Sequence, residues 1–180
     1  MTKKYKLTHH TKVVEGHTLH RIKALKSFDD VRKGDLGGWV ESYSNLSQSD
    51  YAWVYDKAKV YDDARVFDNA KVRDHTRVYG DAWVYKNAWV YGHARVYGVT
   101  GVSGNANVYG HAKVYDDARI WGNVLVYDHA HVGGNTIIYD NDMVYGHTHV
   151  YSHAQMYNNI QMYGNDWVCG HIQPCDDDLE

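Results

Sequence analysis

The sequence predicts an all-β protein: a parallel β-helix of triangular cross-section, 18 residues per coil, behind a small β-rich cap. Three observations carry this expectation. A six-residue unit repeats without a break from Ala52. Each unit pairs a strand-like half with a turn-like half. Sorting the chain at 18-residue intervals turns unrelated corner positions into columns of one residue type.

Residues 1–36 predict the cap, with a turn at Glu15-Gly16. An open coil end exposes unpaired backbone groups and apolar side chains, so a stacked solenoid needs such a cover. Residues 37–175 predict the β-helix, and residues 176–180, Asp-Asp-Asp-Leu-Glu, an acidic flexible tail.

Within the helix the unit reads Ala-Trp-Val-Tyr-Asp-Lys, then Ala-Lys-Val-Tyr-Asp-Asp, then Ala-Arg-Val-Phe-Asp-Asn. Its aliphatic position runs from Val54 through Val60 and Val66 to Val168. Residues two apart share one face of a strand. The small residue and the Val therefore point inward, while the residue between them and the Tyr point outward. The Gly, Asp or Asn that follows the Tyr tolerates positive φ and makes a corner. One short strand cannot bury its apolar face alone, but coiling and stacking bury a continuous Val/Ala core. About seven coils at about 4.8 Å each give a prism about 33 Å long.

The columns test the coil length independently. One corner reads Asn69, Asn87, Asn105, Asn123, Asn141, Asn159. The next reads Lys57, His75, His93, His111, His129, His147, and the third Asp63, Asp81, Val99, Asp117, Asn135, His153. A period of six alone would not separate Asn from His. Asp142 and Asp166 fall on core positions, where a lone carboxylate is costly; both belong to late coils, so solvation by end fraying is expected.

The small-x-aliphatic hexad over residues 37–173 resembles the hexapeptide-repeat family, whose members form left-handed parallel β-helices. The segment from Leu19-His20-Arg21-Ile22 through Gly37-Gly38-Trp39-Val40-Glu41 to Asn45-Leu46-Ser47 is similar to the start of phage and prophage hexapeptide proteins labelled as transferases. The resemblance implies a homotrimer, and as activities acyl transfer from coenzyme A or acyl carrier protein, or metal-dependent hydration. Acyltransferases of that family interrupt the helix with a loop carrying a catalytic His. Here the hexads run unbroken, and no nucleophile–base pair is evident, so no catalytic residue is assigned.

The three outward faces differ. The first carries Trp53, Lys71, Trp89, Asn107, Leu125 and Met143, flanked by Tyr91, Tyr109, Tyr127 and Tyr145. Trp53, Trp89, Leu125 and Met143 with those Tyr make an apolar stripe expected to be a subunit interface; the alternative is a sheet covered by its own stacked rings. The second face carries Lys59, Arg77, Arg95 and Lys113 in its middle, His75, His93 and His111 at its corner, and Tyr79, Tyr97 and Tyr115 beside them. Like charges at about 4.8 Å repel. An anion laid along the row would relieve that cost, with Arg and Lys taking phosphate or carboxylate and Tyr stacking on a base or sugar. The alternative is a solvated charged edge that discourages aggregation. The third face has no regular pattern and dips at Thr100-Gly101-Val102-Ser103.

Two adjacent coils of the second face read His129-Ala130-His131 and His147-Thr148-His149. Four outward imidazoles at strand spacings suit one borderline divalent ion, Zn or Ni. Gly133 stands where the Tyr column should continue, which predicts open space beside that cluster.

Composition narrows the function classes. Net charge is -3 over 180 residues, with 13 His, 17 Tyr and one Pro. That balance argues against a sequence-specific nucleic-acid partner and against an acidic DNA mimic. No apolar run is long enough for a membrane span, and the Lys-rich start followed by His9-His10 predicts no secretory signal. Cys169 and Cys175 lie six residues apart on an extended segment, too far to bridge, so a cytoplasmic location is expected. The reading is a non-catalytic oligomeric protein that binds an anionic ligand, such as a nucleotide, or a host protein. The alternatives are a hexapeptide-type acyltransferase and a purely structural assembly protein.

Overall fold

The computed structural model describes residues 3–172, so Cys175 and the acidic tail lie outside the described residues. Every regular element among them is a strand. The chain opens with β1 (Tyr5–Val14) and β2 (His17–Ala24), an antiparallel hairpin. Its two-residue turn is Glu15 (φ 52°) and Gly16 (φ 90°). Positive φ at both positions matches the twist of the paired strands, which is why Gly is suited to the second.

β3 (Leu36–Val40) joins the hairpin to the helix. It pairs antiparallel with β2 and parallel with Lys59–Val60. Gly37 and Gly38 lie at this crossing because nothing larger fits. A Cβ on Gly37 would come within 2.6 Å of Ile22 Cγ1 and Val54 O, and one on Gly38 within 2.7 Å of Ala58 O. The start of the chain also closes the first coil. The buried Lys4 ammonium donates to the Ala52 and Ser49 carbonyls at 2.8 and 2.9 Å. Burial pulls its pKa down to about 8, against the opposing pull of Asp50.

From residue 53 the chain is a β-solenoid of about seven turns, about 18 residues each. Two-residue strands recur every six residues and pair in parallel with the strand 18 residues away, for example Trp89 with Lys71 and Asn107. Three ladders result. The first is a separate seven-stranded sheet from Trp53–Val54 to Gln161–Met162. The second and third merge through the long strand His149–Met156, which turns a corner and pairs with His131–Val132 on one side and Ile137–Ile138 on the other.

The inward positions form the core expected from the alternation. Val60, Val78, Val96, Val114 and Val132 are fully buried, as are Ala58, Ala94, Ala112 and Ala130 beside them. Where Thr replaces Ala, Thr100 donates to Tyr97 O at 2.7 Å and Thr148 to Tyr145 O at 2.8 Å within their own corners, while the buried Thr76 hydroxyl has no partner. The corners show why Asp alternates with Gly. Asp62, Asp68, Asp74, Asp116 and Asp128 all have φ between 51° and 58°. Each carboxylate accepts a hydrogen bond from the backbone N–H one coil on, as Asp74 does from Gly92 at 2.9 Å. Where Gly stacks on another corner the space is closed: a Cβ on Gly98 would lie 2.7 Å from Asp116 O.

The corner columns close the ladder between coils. Asn69 donates to Asn87, Asn87 to Asn105, Asn105 to Asn123, Asn123 to Asn141, and Asn141 to Asn159, at 2.7–3.2 Å. Stacking the same residue lets each amide donate upward and accept from below, which leaves no rung unpaired.

One expectation is corrected. Asp166 is exposed at the end of the described solenoid, but Asp142 is fully buried rather than solvated by fraying. Its Oδ1 accepts from Ile160 N at 2.7 Å, and its Oδ2 has no partner. Burial, opposed by that hydrogen bond, raises its pKa to about 6.

Candidate anion-binding groove

The second face becomes a groove between two ladders. Its floor is the middle column of Lys59, Arg77, Arg95, Lys113 and His131, placed in register by parallel pairing. One wall is the corner ladder of imidazoles. His75, His93, His111, His129 and His147 stack face to face at 4.8–4.9 Å, with planes within 11° of parallel. The floor from Lys59 to His131 and the wall from His75 to His129 enclose about 540 Å³ of polar cleft. On the far side Tyr61, Tyr79, Tyr97 and Tyr115 stack at 4.9–5.5 Å. All of the cations, imidazoles and tyrosines expected from the sequence to take an anion thus share one surface.

The charges there are poorly compensated. Among the described residues Lys59, Arg95 and Lys113 have no carboxylate within 4.0 Å, and Arg77 has Glu15 at 2.6 Å. Lys12 of the cap adds to the cluster; burial and the nearby Lys59, Arg21 and Arg77 charges hold its pKa down to about 8. Burial lowers Lys59 in the same direction, with Arg77 and Lys57 adding to it. His131 is pulled down to about 4, first by burial and then by Lys113, His149 and the other imidazoles. In each case burial leads and the neighbouring cations add to it, so the charged forms are disfavoured along this face.

The His square does not converge. His129 and His147 lie face to face, 5° from parallel, so their nitrogen lone pairs point side by side rather than at one ion. His131 and His149 are tilted by 53°, and His149 is covered by Trp167 stacked at 4.3 Å. The open space expected at Gly133 is filled. The Tyr115 ring leans over it, 2.3 Å from where a Cβ would stand. The one group of described residues whose ligand atoms lie within 4.8 Å of one another is His17, Glu41 and Asp62. There both imidazole nitrogens are engaged, Nδ1 by Glu41 at 3.1 Å and Nε2 by Asp62 at 3.0 Å. Glu41 and Asp62 also accept from the backbone N–H groups of Asp62 and Gly80. This arrangement suits a protonated His latching the cap to the first coils better than a metal ion. The Glu41 hydrogen bond leads in raising the His17 pKa.

The expected interface stripe is interrupted by the cap. Trp53 is buried, packed edge-on against Tyr5 and Phe28. Lys71 is held by Asp29 and Asp30 at 2.6 and 3.2 Å. Trp89 remains exposed and Leu125 and Met143 are half-buried, beside a ladder in which Tyr91, Tyr109, Tyr127 and Tyr145 stack at 4.8–4.9 Å. Nothing in the repeat signals Glu15, Lys12, Asp29 or Asp30 as partners of these faces, because the cap that delivers them lies outside it.

No family model matches the chain. No curated protein matches it either.

Proposed function

We propose that this chain is a non-catalytic binding protein of hexapeptide-repeat type whose second face takes a ligand bearing two or more negative groups. The observation that carries this reading is the row Lys59, Arg95 and Lys113, which lacks carboxylate partners among the described residues and borders five stacked imidazoles. A ligand with several anionic oxygens would bridge neighbouring rungs at about 4.8 Å and accept charge-assisted hydrogen bonds from them. The exposed Trp89 with Leu125 and Met143 favours self-association through the first face, in line with a homotrimer.

Calorimetric titration with inorganic tripolyphosphate tests the reading. The native chain should bind it, and more weakly as salt rises. Arg95→Glu with Lys113→Glu should weaken binding about 100-fold or more, since two charge-assisted contacts become repulsive. Arg77 is left intact because Glu15 ties it to the cap. Equal affinity in the double variant, or no binding by the native chain at low salt, would refute the reading.

A further inference from the structure

The third face holds a second site that the charged groove does not involve. Trp83–Val84, Gly101–Val102 and Arg119–Ile120 stack in register there. Beside them runs an aromatic ladder with one rung missing. Phe67 stacks on Tyr85 at 5.0 Å and 8°, and Trp121 stacks on Tyr139 at 5.1 Å and 8°. Between Tyr85 and Trp121 the rung is Ser103.

Three adjacent outward columns change at that same coil. Val99 replaces the Asp found at Asp81 and Asp117, Gly101 lies between Trp83 and Arg119, and Ser103 lies between Tyr85 and Trp121. A Cβ on Gly101 would meet nothing within 4 Å. Trp83 turns back edge-on to Phe67, which leaves the space over Gly101 open, and Ser103 lies at the floor of the slot, 4% exposed. The result is a cleft of about 650 Å³. Large apolar groups stand exposed around it: Val99 by 60%, Trp83 by 47% and Trp121 by 38%.

We propose that this slot binds a purine nucleoside monophosphate, its base entering the ladder between Tyr85 and Trp121 and its phosphate meeting Arg119. Two coils separate the flanking rings, about 9.6 Å. A planar ring midway lies about 4.8 Å from each, within the range of offset aromatic stacking and equal to the spacing of the rungs already present. The cleft has the size of a small-molecule site, larger than a single ring needs. Arg119 is exposed and makes no ion pair among the described residues. Asp81, on the opposite lip, offers an acceptor for amino or hydroxyl groups. The slot therefore presents a stacking surface, a cation and an acceptor together.

Calorimetric titration of the full chain with adenosine monophosphate, adenosine and ribose 5-phosphate tests this proposal. The monophosphate should bind; ribose 5-phosphate, which lacks the ring, should bind at least tenfold more weakly. Ser103→Tyr fills the missing rung and should lower affinity tenfold to a hundredfold, the loss of base–aromatic stacking. Trp121→Ala, which removes one wall without crowding the cleft, should weaken binding about tenfold. Arg119→Ala should weaken the monophosphate about tenfold and leave adenosine unchanged. Arg95→Glu with Lys113→Glu should leave the monophosphate unaffected, which separates this site from the groove. No binding at millimolar monophosphate, or equal affinity in the native chain, Ser103→Tyr and Trp121→Ala, would overturn the proposal.

Discussion

Asp142→Asn should stabilise this protein at neutral pH and have almost no effect near pH 4. The carboxyl group lies in a core column that reads Ala52, Ala70, Ala88, Ala106 and Val124 before it. It is fully buried, and only Oδ1 has a partner, Ile160 N at 2.7 Å. Its pKa in the folded chain is about 6, against an ordinary value of 3.8. The folded state therefore binds the proton more readily than the unfolded chain. Stability falls as pH rises from 3.8 to 6, and the full cost is present above 6. At about 1.36 kcal/mol per pH unit that cost approaches 3 kcal/mol; relaxation of the surroundings around the carboxylate reduces it to about 1–2 kcal/mol. Asn keeps the acceptor for Ile160 and carries no charge at any pH. The expected gain is about 1–2 kcal/mol at pH 7.5, or about 2–8 °C in melting temperature for a chain of this size. Paired melts of variant and native protein at pH 7.5, 6, 5 and 4 read it directly. A gain that is absent at pH 7.5, or that persists unchanged at pH 4, would refute the reasoning.

Two further outcomes are expected. His131 titrates in the opposite sense. Its folded pKa of about 4 lies below the ordinary 6.5, so its contribution is lost as pH falls between those values. His131→Gln should gain about 1 kcal/mol at pH 4, a figure reduced for the half-exposed ring, and nothing at pH 8; a pH-independent difference in melts would contradict this. Because His131 and Asp142 oppose each other below pH 6, the native melting curve alone hides both. Trp53→Ala should cost about 3–5 kcal/mol, as for a large buried aromatic, without changing the mass in solution; a lighter assembly at unchanged stability would return Trp53 to the interface.

Most of the solenoid was legible because its rules are local. Alternation sends Val60 and Ala58 inward whatever surrounds them, and Asp or Gly after the Tyr bends the chain at positive φ. The 18-residue columns put Asn105 over Asn87 and His93 over His75, and the hydrogen bonds and stacked rings follow. The same columns brought Lys59, Arg77, Arg95 and Lys113 onto one face with the imidazoles. Side-chain direction within a column was less legible. Stacking turns the faces of His129 and His147 toward each other, and a convergent metal square needs their nitrogens instead. Tyr115 bends over Gly133 because that glycine leaves room for its ring.

Period and residue type together determined the coil, the corners, the core and the sidedness of charge, since each depends on neighbours six or 18 residues away. The tertiary structure decided which outward groups remain free. Glu15 reaches Arg77 across 62 residues, and Asp30 reaches Lys71 across 41. The cap buries Trp53 and neutralises those two cations, while Lys59, Arg95 and Lys113 are left without carboxylates among the described residues. No repeat encodes such contacts. They depend on where a cap of different sequence docks, and that position is set by the packing of Tyr5, Phe28 and Trp53 and by the carbonyls that Lys4 satisfies.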